Sequence, residues 1–455
     1  MQPHDLPKAV QDMQSRHCSL AVATVLMLWA LPEATSKSDD LSWPGWRGAD
    51  RQGVILNARL PKQWPNDPPS PVWKQDVGSG WSSPVVAEGL VFVTDRVSNT
   101  ERVLGLDANS GDVRWRKTNP VDFDPHPVGR RHGNGPKATA YYHQGKLYTL
   151  GIAGWLQCLN ARDGSLLWKV VLPDRFGRHV ALASQTSHVN GTQDVVVPIG
   201  SGEGAAVPLF GYTGSPVIAA GKLICSVGGE NGGTIMALDA DSGRVAWKSL
   251  DENVSYSSPV VAMIAGRPQV VVMTGPRVVG LDLQDGHLLW SHPFQIQYNE
   301  SISTPVIDGD LVLVTGDGRP LTALRIQRNG SQFTKEVAWT NDLLSSYLSS
   351  MLIYNGHVYG MNDGGEFACL RLSDGHEIWV GGDHGFYCTP LRDGDRILAL
   401  NEQGVFAILS ASPKAYRLLG EFKVATTQTW TSPAVVGGRI YIRTASDVRC
   451  FDFAP

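Results

Sequence analysis

An all-β fold, an eight-bladed β-propeller of four-stranded antiparallel blades, is predicted by two observations. One phrase of roughly 40 to 50 residues recurs eight times along the chain. Its last copy stops one strand short, while a matching strand stands alone near the start.

The fullest copy of the phrase runs Gly214 to Leu250, "GSPVIAAGKLICSVGGENGGTIMALDADSGRVAWKSL". A Ser/Thr-Pro opens a short apolar run, and a Gly turn leads to a second, alternating run. A third run ends in Leu-Asp, and a Gly-led turn enters a fourth that closes on Trp. Runs of five to seven residues with period-two alternation, bounded by Gly, Asp and Asn, are the pattern of short strands joined by hairpins. The third residue of each opening is Pro84, Ala140, Pro216, Pro259, Pro305, Met351, Pro390 and Pro433. Most of the steps between them are roughly one blade long. The two longer steps hold the insertions Pro120 to Lys137 and Ser184 to Thr213.

The closing Gly-x-x-x-Trp recurs at Gly111/Trp115, Gly164/Trp168, Gly243/Trp247, Gly286/Trp290 and Gly375/Trp379, with Trp339 in a degenerate copy. A turn glycine sets the register of the fourth strand, and an indole four residues on can pack against the next blade. Repetition at one strand position favours structural docking over cofactor contact for these tryptophans. The eighth copy, "TSPAVVGGRIYIRTASDVRCFDFAP", ends after three strands, and "PVWKQDV" (Pro71 to Val77) is the strand it lacks. Pairing the termini in one sheet removes a bare edge and closes the circle. Trp73 is therefore expected to hold in blade eight the place Trp247 holds in its own blade.

The chain divides into residues 1–36 as a signal peptide, 37–70 as an N-terminal strap and 71–455 as a single propeller. Arg16 and His17 precede an apolar run, Ser19 to Leu31, too short to span a bilayer comfortably and suited to a secretory segment. Ala34 and Ser36 permit cleavage before Lys37, and Met13 can serve as the start; retention of the apolar run as an anchor is the alternative. A net charge of −4 with 18% charged residues gives no basic surface for nucleic acid. The six cysteines form no disulfide framework. Cys158, Cys369 and Cys450 occupy the slot that holds Gly105, Ala237 and Gly280 in other copies, so they read as small buried hydrophobes, as do Cys225 and Cys388.

The segment "ALDADSGRVAW" (Ala237 to Trp247) resembles the tryptophan-docking motif of quinoprotein-like propellers. That group includes pyrroloquinoline-quinone (PQQ) dehydrogenases and the propeller subunit of the outer-membrane β-barrel assembly machine. With "WPGWRGADRQGV" (Trp43 to Val54), the resemblance covers the chain from Trp43 to Pro455 and is closest to exported bacterial PQQ-binding-like repeat proteins. It implies export to the periplasm or an equivalent compartment. PQQ with Ca²⁺ is the cofactor the dehydrogenases would bring. Against that, the chain has no adjacent cysteine pair and no Cys-x-x-Cys-His. The loop residues Asn299, Glu300, Asp342 and Glu203 form no set whose spacing assigns calcium.

Loops entering the inner strands of a propeller form one mouth of its channel. Trp81, Lys137, Tyr256, Tyr387 and Trp430 stand at those entries, with Tyr212 and Tyr347 slightly displaced and Asn299-Glu300 at the fifth. Such a funnel suits a planar ligand, a sugar or a peptide strand, unless each ring only plugs its own blade. "VGRRHGNGPK" puts Arg130, Arg131, His132 and Lys137 close together, where cations can meet a carboxylate-bearing ligand, a phosphate or an acidic peptide if the loop reaches the funnel; a charged loop lying in water is the alternative. His126, His179, His188 and His384 lack metal-ligand spacing. Two functions follow. One is a non-catalytic binding or scaffold protein, a monomer without membrane insertion after signal removal, holding a protein or carbohydrate partner at the funnel face. The other is a PQQ-dependent alcohol or sugar dehydrogenase with the quinone in the funnel, its carboxylates held by Arg131 and Lys137.

Overall fold

The computed structural model describes residues 42–172, 210–228 and 233–454, apart from 57, 66, 68, 69 and 126. The expected signal segment and most of the second insertion lie outside the described residues. Eight four-stranded antiparallel sheets are arranged as blades. Their inner strands, Val85–Ala87, Tyr141–His143, Val217–Ala219, Val260–Ile264, Val306–Asp308, Leu352–Tyr354, Cys388–Asp393 and Ala434–Val436, begin at the eight openings and number blades 1 to 8.

In blade 3 the third strand, Ile235–Asp239, pairs with the fourth, Val245–Ser249, so that Ala237 faces Trp247. Asp239 builds the connecting turn. Its carboxylate accepts the Ser242 N–H at 2.8 Å, and its carbonyl accepts the Gly243 N–H at 2.8 Å. Gly243 has φ +69°, where a side chain is strained. The indole then crosses to the neighbouring blade, where Trp247 Nε1 donates to Leu283 O at 3.1 Å and the ring lies over Gly286. Trp115, Trp168 and Trp339 repeat the arrangement over Gly164, Gly243 and Gly375. Trp290 departs from it. Blade 5 continues into an extended hairpin, Arg319–Asn329 with Gln332–Asn341, and Trp290 Nε1 instead donates to Gln269 Oε1 of its own blade at 2.7 Å.

The cysteine slot has a local logic. Cys158, Cys369 and Cys450 each face a docking tryptophan on one side and Tyr148, Tyr359 or Tyr441 on the other. The copies with Gly105, Ala237 or Gly280 face Phe92, Ile224 or Val271 there. Cys158, Cys225, Cys369, Cys388 and Cys450 are all free and buried. Burial pushes the Cys158, Cys225 and Cys450 thiols up to about 12, so they stay protonated.

Ser/Thr hydroxyls at five of the openings fasten the inner ring. Backbone N–H groups of Ser83, Thr139, Ser215, Thr304 and Ser432 donate to the hydroxyls of Thr139, Ser215, Ser258, Ser350 and Ser83, each on a neighbouring blade. Except after Thr139 and Ser350, where Ala140 and Met351 stand, a proline follows and removes the next N–H, leaving the strand to start there. Blade 8 closes with the strand Trp73–Asp76, which pairs with Asp447–Asp452 so that Trp73 faces Cys450.

The strap enters the ring itself. Trp43 and Val86 exchange both backbone hydrogen bonds, Tyr142 N–H donates to Pro44 O, and Ile55 and Arg392 are joined through the strap at blade 7. Arg47 and Arg51, in left-handed conformations at φ 57° and 62°, are fully buried. Arg51 donates to the carbonyls of Ser215, Pro216 and Pro259, and Arg47 to that of Met351. Burial lowers both guanidiniums to about 10, still protonated at neutral pH. Beyond the ring, Trp64 packs against Gly420 of blade 7, where no docking tryptophan exists, with Phe453 and Phe422 at 5.0 and 5.8 Å. No helix among the described residues is long and apolar enough to cross a membrane.

Candidate functional site

Strap residues bond to blades 1 to 7 in the middle of the ring and bring Trp46 to the channel mouth, a cup that it helps to line. Trp46 Nε1 donates to Thr304 Oγ1 at 2.9 Å. The cup holds a cavity of about 150 Å³. Five of the lining side chains, Trp81, Lys137, Tyr256, Tyr387 and Trp430, share one origin: each stands just before an opening.

Trp81, Lys137, Tyr256, Tyr387 and Trp430 line this cavity. The walls form a continuous aromatic chain. Trp81 and Trp430 have centroids 5.3 Å apart, Trp430 and His132 5.0 Å, His132 and Phe210 5.6 Å, and Phe210 and Tyr256 5.0 Å. Trp81 is held by Nε1–H to His132 O at 3.0 Å and by its backbone N–H to Pro136 O at 2.7 Å. Tyr387 shares a 2.6 Å hydrogen bond with Thr389 and is fixed from behind by Glu402, which accepts its N–H at 2.9 Å.

Arg131 stands apart from the others. It lies on the short 3-10 helix Pro127–His132 with its side chain exposed, and is not part of the lining. Its Nε–H points to His132 Nε2 at 3.0 Å and its Nη2–H reaches Tyr347 Oη at 3.4 Å, so it belongs to the rim. Tyr347 in turn donates to Glu300 Oε2 at 2.6 Å. Burial and the Glu300 carboxylate push that phenol up to about 12.

Lys137 is half-buried in the wall. Its Nζ donates to two backbone carbonyls, Gly133 O at 3.3 Å and Phe210 O at 3.4 Å. Burial pulls the ammonium down to about 8. His132 is drawn down to about 4, by burial first and then by Arg131 and Lys137, so it is neutral at pH 7. Behind this wall Glu101 is buried, accepting the Ile152 N–H at 2.7 Å, and desolvation raises it to about 7.

Trp46 and Phe210 were not expected at the site. Phe210 ends the long insertion, and Trp46 lies in a segment whose route into the channel depends on contacts hundreds of residues away. His384, scattered by sequence, is a buried packing residue against Phe367 and Tyr416. Glu203, His126, His179 and His188 lie outside the described residues.

Among the described residues, the donors present do not fit calcium-bound quinone. Among the described residues no three His, Cys, Asp or Glu side chains gather as metal ligands, and the one carboxylate in the lining, Glu300, is engaged by Tyr347.

Comparison with known proteins agrees with this picture at the level of fold. The Shewanella oneidensis outer membrane protein assembly factor BamB is 23% identical over 369 residues, covering 75% of this chain and 89% of that protein. The dehydrogenase subunit of the quinone alcohol dehydrogenase of Gluconobacter oxydans is 27% identical over 174 residues, only 36% of this chain and 18% of that one. The crystal structure of BamB from Moraxella catarrhalis superposes with a TM-score of 0.54 at 15% identity, over 83% of this chain and 97% of that one. A family profile described as outer membrane protein assembly factor BamB matches residues 66–126 and 99–381, and the chain belongs to that family of PQQ-like propellers.

Proposed function

We propose that this propeller is an exported, non-catalytic binding or scaffold protein that holds a protein partner at the cup face. The observation that carries the reading is the aromatic cup itself, lined by Trp46 of the strap together with the rings at the openings and extended at its rim by the exposed Phe386, 5.8 Å from Tyr347. Rigid aromatic side chains around a cavity give a large contact area at small entropic cost. The relatives named as assembly factors support a protein over a carbohydrate partner, because assembly requires contact with polypeptide. Export is part of the proposal, with cleavage before Lys37.

The dehydrogenase reading has the partial likeness to the alcohol dehydrogenase subunit in its favour, and the donor set argues against it. The test is a photo-reactive amino acid placed in living cells of the source organism at Phe386, on the cup rim, or at Met263, an exposed side chain at the far end of a blade 4 inner strand. A discrete protein adduct from position 386, absent from 263 and lost on Trp430→Ala, is the expected result. Adducts from 263 alone, or dye reduction by the purified protein with PQQ, Ca²⁺ and an alcohol, would overturn it.

A further inference from the structure

We propose that Lys137 is a carbonyl-reactive amine, and that the cup captures flat aromatic aldehydes or ketones reversibly as imines on its Nζ. The inference does not depend on the protein-partner reading. It rests on where this amine is. Lys137 lines a cavity whose lining is largely aromatic, with Trp81, Trp430, Phe210 and Tyr256 among its rings. Its hydrogen-bond acceptors are two neutral carbonyls, and among the described residues no carboxylate stands within ion-pair distance. Lys74 and Lys146, by contrast, are paired with Asp447 and Asp241. A desolvated ammonium without a counter-charge gives up its proton more readily than an exposed one, the usual route by which a lysine becomes a nucleophile. Burial has that effect on Lys137, opposed only by the field of Glu101 behind the wall.

The chemistry balances without a redox partner. The lone pair of neutral Nζ attacks the carbonyl carbon, forming a C–N bond. The carbinolamine then loses the former carbonyl oxygen as water, carrying away the two amine hydrogens, and a C=N bond remains. Hydrolysis reverses the step. The rings select the ligand: an aromatic body stacks where Trp81 and Trp430 face the cavity, which brings its carbonyl to the wall.

The experiment is reductive trapping on the full mature chain. One equivalent of 2-naphthaldehyde with sodium cyanoborohydride is followed by peptide mapping. Lys137 should be alkylated about tenfold faster than surface lysines such as Lys62 at pH 7.5, and its labelling should level off above about pH 8 while theirs keeps rising. Lys137→Arg, with folding checked by circular dichroism, should abolish the fast site; Trp430→Ala should slow it. Acetaldehyde, which has no ring to stack, should show only the smaller preference that the desolvated amine alone gives. Even labelling of all lysines by 2-naphthaldehyde, or a preference for Lys137 no larger with 2-naphthaldehyde than with acetaldehyde, would overturn the proposal.

Discussion

Trp73 stands opposite Cys450 in blade 8 as Trp247 stands opposite Ala237 in blade 3, although the two halves of the first pair are at opposite ends of the chain. Its Nε1 donates to Ala108 O of blade 1 at 3.0 Å, and Lys74 beside it is 3.3 Å from Asp447. The ring is therefore fastened by a strand that the repeat count alone does not supply. Trp73→Ala should cost about 3–5 kcal/mol, the range for emptying a buried aromatic site. Deleting residues 71–77 should abolish cooperative urea unfolding, while deleting 37–42 should leave the transition nearly unchanged.

Gly111 carries the other side of that contact. It has φ +78°, and a Cβ there would stand 2.6 Å from Trp73. Gly111→Ala should thus destabilise by more than the roughly 1 kcal/mol of a strained φ alone. Gly145, at φ +75° with open space around it, is the control. Thermal melts of the two variants measure the difference, and the Gly111 variant should melt several degrees lower.

Trp64 should behave as a docking tryptophan although it lies outside the repeat. Packed on Gly420 with Phe406, Phe422 and Phe453 around it, it fills the junction of blades 7 and 8. Trp64→Ala should cost about 2–4 kcal/mol in chemical denaturation. A loss under 0.5 kcal/mol would mean that blade 7 holds without it.

Glu101 should make stability fall as pH rises. Its carboxyl is raised to about 7 in the folded chain by burial, against 4.5 in the unfolded chain. Between those values the unfolded state releases its proton first, so folding becomes progressively less favourable from about pH 4.5 to 7. The total effect is on the order of 3 kcal/mol. Glu101→Gln should remove this slope, which denaturation midpoints at pH 5 and pH 8 will read directly.

The fold was legible because its signals repeat. Ser/Thr-Pro, the turn glycine and the docking tryptophan each appear several times, and apart from Trp290 the tryptophans repeat one mechanical task. The cysteine substitutions were legible for the same reason, since Cys158 could be compared with Ala237 in an equivalent slot. The cup was legible in part: the entry residues before each opening point to the axis, which brought Trp81, Lys137, Tyr256, Tyr387 and Trp430 to one cavity. What occurs once was not. The passage of Arg47 and Arg51 through the ring depends on carbonyls of Met351, Ser215, Pro216 and Pro259, far away in sequence. Arg131 was grouped with Lys137 by proximity along the chain, yet a short helix carries it to the rim.

The central functional claim is that the partner is held over the aromatic cup, and hydrogen exchange on the complex with the partner identified by cross-linking tests it most directly. Binding should slow exchange at Trp81 to Ser83, Tyr347 and Leu348, Phe386 and Tyr387, and Trp430 to Ser432, while the far-face turns at Gly89, Gly266 and Gly356 stay unchanged. Protection confined to those turns or to the outer strands, with the cup segments exchanging as in the free protein, would contradict it.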